Sequence, residues 1–290
     1  MEIRDLRVLV AVVETRGMTR ASERLHVVQS AVSQSVQRLE RELQVPLVIR
    51  RPDGVRPTEA GLALLEHAHR ILSEADRARE ELMAFAGAAR GTVRLGLLPT
   101  AAPLVLGRLL ARLVAEHPGI SLHLEEALAP QLVDRLGVGR LDVIVLFLPA
   151  DASHFPVVKL GRVPLQVTLP AGTGSRTVSL AALKNETWIS FPPANPGREW
   201  LHTACAKAGF EPRISHEVEN LSQAKAFIAA GFGLALMPAA AAEPEVSAGL
   251  LELAEPRPAA ATELGYFYDP HQPSRAVAAV RSLLEESTAV

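Results

Sequence analysis

Apolar residues recur at helical spacing in three consecutive segments at the start of the chain. The first segment ends at Gly17, the second begins after the candidate N-cap Thr19, and the third runs from about Ser30 to the helix-breaking Pro46. The predicted buried stripes are Leu6, Leu9, Val10 and Val13, then Ala21 and Leu25, then Val32, Val36, Leu39 and Leu43. This periodicity predicts three short amphipathic helices around one core.

A different pattern follows the third helix. The segment "PLVIRRPDGVRPT" has two short β-prone runs around a Pro-Asp-Gly turn, which predicts a β-hairpin. Two short helices joined by a tight turn and followed by a hairpin form a winged helix-turn-helix. We therefore predict such a domain over residues 1–58.

A long helix is predicted over residues 59–87, with Thr58 as its N-cap. Its apolar positions follow one another at alternating steps of about 4 and 3, the pattern of a coiled-coil seam. The seam consists of Leu64, Ala68, Ile71, Ala75, Ala78, Leu82 and Phe85. Charged residues flank these positions, so pairing with a partner helix is favoured over packing on the chain's own domain.

From Thr92 onward, apolar strand patterns alternate with amphipathic helix patterns. Such alternation predicts an α/β fold with a parallel sheet. We predict one domain over 92–290, built as two α/β lobes, with the chain crossing between lobes near Arg162–Leu165 and again near Tyr266–Asp269. Lobe I then comprises 92–162 and 268–290, and lobe II comprises 163–267.

Composition narrows the class of protein. No apolar run reaches the roughly 18 residues that span a membrane, and the first residues lack the pattern of a signal peptide. The one cysteine, Cys205, cannot form an internal disulfide. We therefore expect a cytoplasmic protein without membrane association. Residues 1–58 carry ten arginines and seven acids, against a chain total of −2, so a basic module precedes an acidic body.

The third helix carries short polar side chains opposite its apolar stripe. Gln can pair with adenine edges in the major groove, and Ser can reach several bases. The alternative is an ordinary solvated helix face. Because this helix is the second of a helix-turn-helix and a basic hairpin follows it, DNA binding is favoured. The candidate DNA-binding residues are Thr19, Gln29, Ser30, Ser33, Gln34, Gln37, Arg38, Arg50 and Arg51.

Residues 1–61 resemble the N-terminal domain of LysR-type transcriptional regulators. The resemblance rests on "LRVLVAVVETRGMTRASERLHVVQSAVSQSVQRLERELQVPL" and "GVRPTEAG". The runs "VRLGLLPT", "GRLDVIVLF" and "AAGFGLALMP" are similar to looser landmarks of the family's effector-binding domain. The resemblance implies a double-stranded promoter DNA partner, a small-molecule effector bound between two lobes that resemble type 2 periplasmic binding proteins, and no cofactor. It also implies a homodimer through the long helix, and a homotetramer.

Three positions depart from the family pattern. Val28 stands where the family commonly has Ser, which removes a capping hydroxyl worth roughly 1 kcal/mol, although Gln29 or Ser30 can substitute. Ser30 stands where Pro is common, and Gln34 where a basic residue is common. We expect these changes to alter base preference and to lower phosphate affinity.

The candidate effector-binding residues follow predicted strands, because ligands of open α/β sheets bind beyond the carboxyl ends of strands. They are Pro99, Thr100, Ala101, Leu148, Pro149, Phe191, Pro192, Pro193, Arg198, Leu221 and Ser222. Arg198 could hold a carboxylate through two hydrogen bonds, although a surface role on a first helical turn is the more common fate. The apolar surroundings favour a small, partly apolar ligand such as an organic acid.

An enzyme and a solute-binding protein are the alternatives to a transcriptional regulator. An enzyme would need a nucleophile with its base, a metal cluster or a phosphate loop. The glycine-rich run at 172–176 lacks the lysine and the strand-to-helix setting of a phosphate loop. A solute-binding protein would suit the two lobes but not the N-terminal domain. We therefore expect a regulator that is not an enzyme, and sequence-specific DNA binding separates it from both alternatives.

Overall fold

The computed structural model describes residues 1–52, 54–84, 91–174, 176–270 and 274–287. Two compact units make up the chain: the first is Met1–Ala88 with Gly137–Arg140, and the second is Ala89–Leu136 with Leu141–Val290. In the described residues, no helix is both long enough and apolar enough to cross a membrane.

The first unit is a winged helix-turn-helix with a long helix attached, as the hydrophobic pattern predicts. Its elements are α1 (Ile3–Glu14), α2 (Met18–Leu25), α3 (Gln29–Leu43), β1 (Val48–Arg51), β2 (Gly54–Pro57) and α4 (Glu59–Ala84). The predicted stripes pack together: Leu6, Leu9, Ala21, Val32, Val36 and Leu39 are all buried. Val10, Val13 and Leu25 are half-buried. Leu43 is 41% exposed, because α3 ends there and the backbone turns left-handed at Gln44.

The helix starts differ from the sequence-based expectation. Gly17, in an extended conformation, is the N-cap of α2. Thr19 therefore lies inside that helix and does not cap it, and its carbonyl accepts a 2.7 Å hydrogen bond from Ser22 Oγ. Val28 is the N-cap of α3 and makes no side-chain hydrogen bond to it. Neither Gln29 nor Ser30 takes over this role, since both lie within the helix.

An ion pair between a buried carboxylate and a partly exposed arginine joins α1 to α3. The Asp5 carboxylate is 1% exposed and accepts two hydrogen bonds from Arg38, from Nε at 2.9 Å and from Nη2 at 2.6 Å. The hydrogen-bonded guanidinium holds the pKa of Asp5 below its ordinary value, against the opposing effect of burial. Because the two residues stand 33 positions apart, this pair fixes how α3 lies on α1.

Thr58 caps α4 as predicted: its hydroxyl accepts a 3.0 Å hydrogen bond from the Gly61 N–H. The first turns of α4 pack on the unit itself, where Leu65 and Ala68 are buried. Towards its end, the helix exposes the predicted seam, with Leu82 71% exposed. The last predicted seam residue, Phe85, lies outside the described residues.

The second unit is an α/β domain whose main sheet is mixed rather than wholly parallel. Its strands are β3 (Gly91–Leu97), β4 (Ile120–Glu126), β5 (Val143–Leu148), β6 (Val157–Pro170), β7 (Thr177–Ser179), β8 (Thr187–Ser190), β9 (Arg213–Glu217), β10 (Ala235–Pro238), β11 (Leu251–Arg257) and β12 (Ala260–Tyr268). The helices are α5 (Ala102–Glu116), α6 (Ala129–Gly137), α7 (Pro196–Lys207), α8 (Leu221–Ala229), α9 (Glu243–Ser247) and α10 (Arg275–Ser287). Strands β4, β3 and β5 are parallel neighbours, whereas β12 is antiparallel to β5 and β6.

Two lobes are present, and the long strand β6 passes from one to the other. Its first half pairs with β12 in lobe I, and its second half pairs with β10 and β11 in lobe II. Leu165 faces both Ala260 and Pro238, which agrees with the predicted first crossing. The second crossing was placed too late: β12 already pairs with β5 and β6, so the chain returns between Arg257 and Ala260 and not near Tyr266–Asp269.

The Asp5–Arg38 ion pair generates a stability prediction. Asp5→Asn removes the charge that both Arg38 bonds need, and we expect it to lower the opening free energy of α1 and α3 by about 2 kcal/mol. Hydrogen exchange of their backbone amides measures this loss.

The stabilisation by the Asp5–Arg38 ion pair also depends on pH. It is complete above the ordinary Asp pKa of 3.8 and is lost as the pH falls through the lowered pKa of Asp5. Arg24→Ala, which breaks an exposed pair with Glu14, serves as the control and should change little. Equal effects of the two variants would contradict the assignment.

Candidate functional site

The outer face of α3 is polar and accessible. Gln29, Ser30, Gln34 and Gln37 are exposed and Ser33 is half-buried, while Val32, Val36 and Leu39 occupy the opposite, buried face. The start of the helix is open as well, since Val28 is exposed and offers no side-chain cap. First-turn N–H groups of a helix attract anions. The face therefore combines amide and hydroxyl groups with a helix start suited to a phosphate.

The hairpin of β1 and β2 stands beside α3 and carries Arg50 and Arg51 exposed. Its position is fixed by the Val55 N–H, which donates to the Arg16 carbonyl at 2.9 Å. Gly54 has a φ of +126°, and a Cβ there would lie 2.6 Å from the Arg16 oxygen. Glycine is therefore required for the hairpin to approach the turn after α1 so closely.

Two predicted DNA-binding residues have other surroundings. Arg38 is bound to Asp5, so its guanidinium stabilises the packing of α1 on α3. Thr19 is exposed on α2, within the helix rather than at its start. The remaining candidates, on α3 and the hairpin, form the polar face and the basic hairpin described above.

In lobe I, the predicted effector residues meet at one edge of the sheet. Pro99, Thr100 and Ala101 follow β3. Leu148 ends β5, the parallel neighbour of β3, and Pro149 follows it. Thr100 is buried, Pro99 and Leu148 are half-buried, and Pro149 is exposed. Ala101 is fully buried in the core of lobe I, so its side chain belongs to that core.

Lobe II gathers its candidates in the same way. Phe191, Pro192 and Pro193 follow β8, and Leu221 and Ser222 begin α8 after the parallel strand β9. Asn220 caps α8 by accepting a 3.0 Å hydrogen bond from the Gln223 N–H. Phe191 is buried in the lobe II core, and a Cβ on Gly197 would lie 2.8 Å from its ring. Phe191 therefore packs in the core beneath the strand end that carries Pro192 and Pro193.

One aromatic contact brings the two edges together. The rings of Phe147, on β5, and Trp200, on α7, meet edge to face with centroids 4.6 Å apart. Phe147 immediately precedes Leu148, and Trp200 lies two residues after Arg198. The loop after β5 and the first turns of α7 therefore lie near each other on facing lobes. Neither aromatic residue was singled out from the sequence, where each looks like ordinary core.

Arg198 is already paired within lobe II. Its Nη1 atom lies 3.2 Å from Glu217 Oε2 and donates to the Phe191 carbonyl at 3.3 Å. A carboxylate ligand would have to compete with Glu217 for this guanidinium. Ser190, the last residue of β8, is buried, and its hydroxyl has no hydrogen-bond partner in the described part of the chain. No sequence motif marks a serine at the end of a strand, so Ser190 could not be predicted from the sequence.

Metal-ligating residues and the one cysteine were the other candidates for chemistry. No group of three or more metal-ligating side chains occurs within the described ranges. Cys205 is buried against α7's neighbours in the lobe II core, and burial raises the pKa of its thiol to about 11. A thiol with so high a pKa is a poor nucleophile at neutral pH, because the thiolate is the reactive form.

The two units thus define a class of protein: a winged helix-turn-helix followed by a two-lobed α/β domain. Residues 3–62 match the model of the bacterial regulatory helix-turn-helix protein of the lysR family, and residues 86–289 match the LysR substrate binding domain. The chain belongs to the LysR family of DNA-binding transcriptional regulators.

Relatives and solved structures agree with this membership. The chain is 33% identical to the HTH-type transcriptional regulator BudR of Raoultella terrigena, over 82% of this chain and 84% of the relative. It is 30% identical to the hydrogen peroxide-inducible genes activator of Escherichia coli O6:H1, over 95% and 92%. The structure of CbnR, a LysR family transcriptional regulator, covers both chains fully at 26% identity and a TM-score of 0.76. CbnR has also been solved in complex with its target DNA, at 24% identity and a TM-score of 0.74 over 99% and 100% of the chains.

The buried thiol generates a prediction that separates this chain from a thiol-based oxidant sensor. Because burial raises the pKa of Cys205 to about 11, we expect no reaction of the native protein with a thiol reagent such as DTNB within an hour. One equivalent should react after denaturation. Treatment with hydrogen peroxide should leave DNA affinity unchanged in the wild type and in Cys205→Ala alike. Rapid native labelling, or a peroxide effect that Cys205→Ala abolishes, would overturn this assignment.

Proposed function

We propose that the chain binds double-stranded promoter DNA by placing the outer face of α3 in the major groove, with the β1–β2 hairpin against the backbone. This proposal rests on one observation: α3 buries its apolar stripe and exposes a polar face formed by Gln29, Ser30, Gln34 and Gln37. Arg50 and Arg51 supply cations next to that face. The CbnR complex with target DNA supports a DNA partner for the shared fold.

Within this proposal, base reading and backbone binding fall to different residues. Gln34 and Gln37 point away from the buried stripe and can pair with adenine edges. Ser30 and the open start of α3 are suited to a phosphate. We leave Arg38 out of the interface, since its guanidinium is bound to Asp5. Thr19, which is exposed on α2, is assigned only a secondary contact with DNA beside α3.

Gln34 provides the test of this function. Gln34→Ala removes a two-point hydrogen-bonding group from the centre of the exposed face, and we expect the loss of discrimination between operator and scrambled DNA. The change corresponds to about 1–3 kcal/mol for each base pair read. Competition binding to the DNA upstream of the protein's own gene measures it, with circular dichroism to check folding.

The matched control is Gln131→Ala, which removes an exposed glutamine from α6 and should leave discrimination intact. If Gln34→Ala still prefers the operator as strongly as the wild type, α3 does not read bases in the orientation proposed. If the wild type shows no preference for any promoter fragment, the proposed function itself fails.

We also propose that a small molecule binds between the lobes, at the edges formed by Pro99, Thr100, Leu148 and Pro149 on one side and by Pro192, Pro193, Leu221 and Ser222 on the other. The match to the LysR substrate binding domain supports a ligand there. The hydroxyls of Thr100 and Ser190 are the polar groups that such a ligand could engage. Because Glu217 already pairs with Arg198, an organic acid would bind by displacing that carboxylate. Ligand binding would then favour whichever lobe arrangement holds it better.

We further propose a homodimer formed through α4 and a homotetramer formed through a second surface. The end of α4 exposes Ala78 and Leu82 on the seam. Elsewhere, α5 and β4 expose Leu110, Val114 and Leu124, and Val114 is 73% exposed. Exposed apolar side chains grouped on one face mark self-association surfaces.

From its membership of a family of transcriptional regulators, we also propose that the protein works in the cytoplasm. We assign it no enzymatic activity, cofactor or membrane partner.

Leu82 tests the dimer. Leu82→Asp places a charge on the seam, and we expect it to shift the oligomer to a smaller species in size-exclusion chromatography with light scattering. Arg70→Asp, which changes an exposed residue of α4 off the seam, is the matched control. An unchanged mass for Leu82→Asp would show that α4 pairs through another face, or that the dimer forms elsewhere.

A further inference from the structure

An unassigned pocket of about 150 Å³ lies between α1 and the start of α3. Two arginines from α1 are at its rim, and its floor is largely apolar. It is lined by Arg4, Arg7, Val8, Leu25, Val27, Ala31 and Ser35. The combination of guanidinium groups with an apolar floor suits a phosphate attached to a sugar.

The position of this pocket follows from the helical geometry of α3. At 100° per residue, Ala31, Ser35 and Arg38 lie on one flank of the helix and Glu40 lies on the other. The first flank faces α1, as the Arg38–Asp5 pair shows. The second flank faces the hairpin, because Glu40 Oε1 accepts hydrogen bonds from the N–H groups of Leu47 at 2.8 Å and Val48 at 3.2 Å. The pocket and the hairpin therefore stand on opposite sides of α3.

The two arginines at the rim differ in their charge environment. Arg7 Nη2 lies 3.1 Å from Asp76 Oδ1 on α4, so its charge is partly neutralised. Arg4 is exposed, and no described acid forms an ion pair with it. Its guanidinium is therefore available to an external anion.

A helix lying in the major groove has a sugar-phosphate backbone on each side, since the groove is about 12 Å wide. The hairpin arginines can reach only the backbone on their own side. We propose that Arg4 binds a DNA backbone phosphate on the opposite side of α3, with the adjacent sugar against the apolar floor of the pocket. This inference rests on the proposed binding of α3 to DNA.

The salt dependence of binding tests the proposal, because each lost phosphate contact lowers the slope of log K against log salt by about 0.9. For full-length Arg4→Ala we expect that decrease for each subunit bound. It corresponds to about fourfold weaker binding per subunit at 0.2 M salt. Operator and scrambled DNA should be affected equally, so the ratio of the two affinities stays unchanged. Arg4→Lys should restore most of the slope.

Arg213→Ala is the matched control: it removes one exposed arginine from β9 and should leave the slope unchanged. A wild-type slope for Arg4→Ala would overturn the proposal, and an accompanying change in promoter output would point to a protein partner at this pocket instead. A fall in the affinity ratio would also overturn it, since Arg4 would then read bases. The slope on scrambled DNA tests Arg4 even if the wild type shows no operator preference, which separates this inference from the proposed function.

Discussion

The orientation of α3 depends on one buried carboxylate. An unpaired charge at the position of Asp5 would be costly, so the carboxylate requires a cation with suitable geometry. Arg38 meets that need with two short hydrogen bonds. Since Arg38 is on α3 and Asp5 is on α1, satisfying the charge also fixes the rotation of α3 about its axis. That rotation decides which residues face outward, and it places Ala31 and Ser35 beside α1 and Glu40 beside the hairpin.

Much of the fold was predictable from the sequence because it rests on periodic burial. The stripe of Val32, Val36 and Leu39 predicts α3 and its buried face, and the Thr58 hydroxyl predicts the start of α4; both are confirmed. The starts of α2 and α3 were not predictable in the same way. At Gly17 and Val28 the backbone enters the helix without a side-chain cap, so the polar residues that usually mark such positions gave no guidance.

At the candidate sites, the sequence could not predict the tertiary pairing of charged groups. Arg38 and Arg198 look available in the sequence, but each meets an acid from another element, Asp5 and Glu217 respectively. The late placement of the second crossing has a related origin. The run at the end of β12 reads as one apolar strand in either lobe, and only its pairing with β5 and β6 assigns it to lobe I. The sequence did predict which residues lie at the same edge of a sheet. Parallel neighbouring strands bring their carboxyl ends together regardless of their side chains, as β3 and β5 do.

The same pairing limits how strongly one subunit can hold DNA. The N-terminal domain is rich in arginine, but the guanidinium groups of Arg7, Arg24 and Arg38 are paired with Asp76, Glu14 and Asp5. Among the other arginines, Arg4, Arg16, Arg20, Arg41, Arg50 and Arg51 are exposed, and Arg4, Arg50 and Arg51 are the ones that we propose to bind phosphates. Those three phosphate contacts account for a salt slope of about 2.7 for each subunit. Linking two or four such domains raises the effective concentration of each at its half-site. A dimer formed through the exposed apolar seam of α4, as proposed, would supply the second domain, so the seam contributes to DNA affinity without touching DNA.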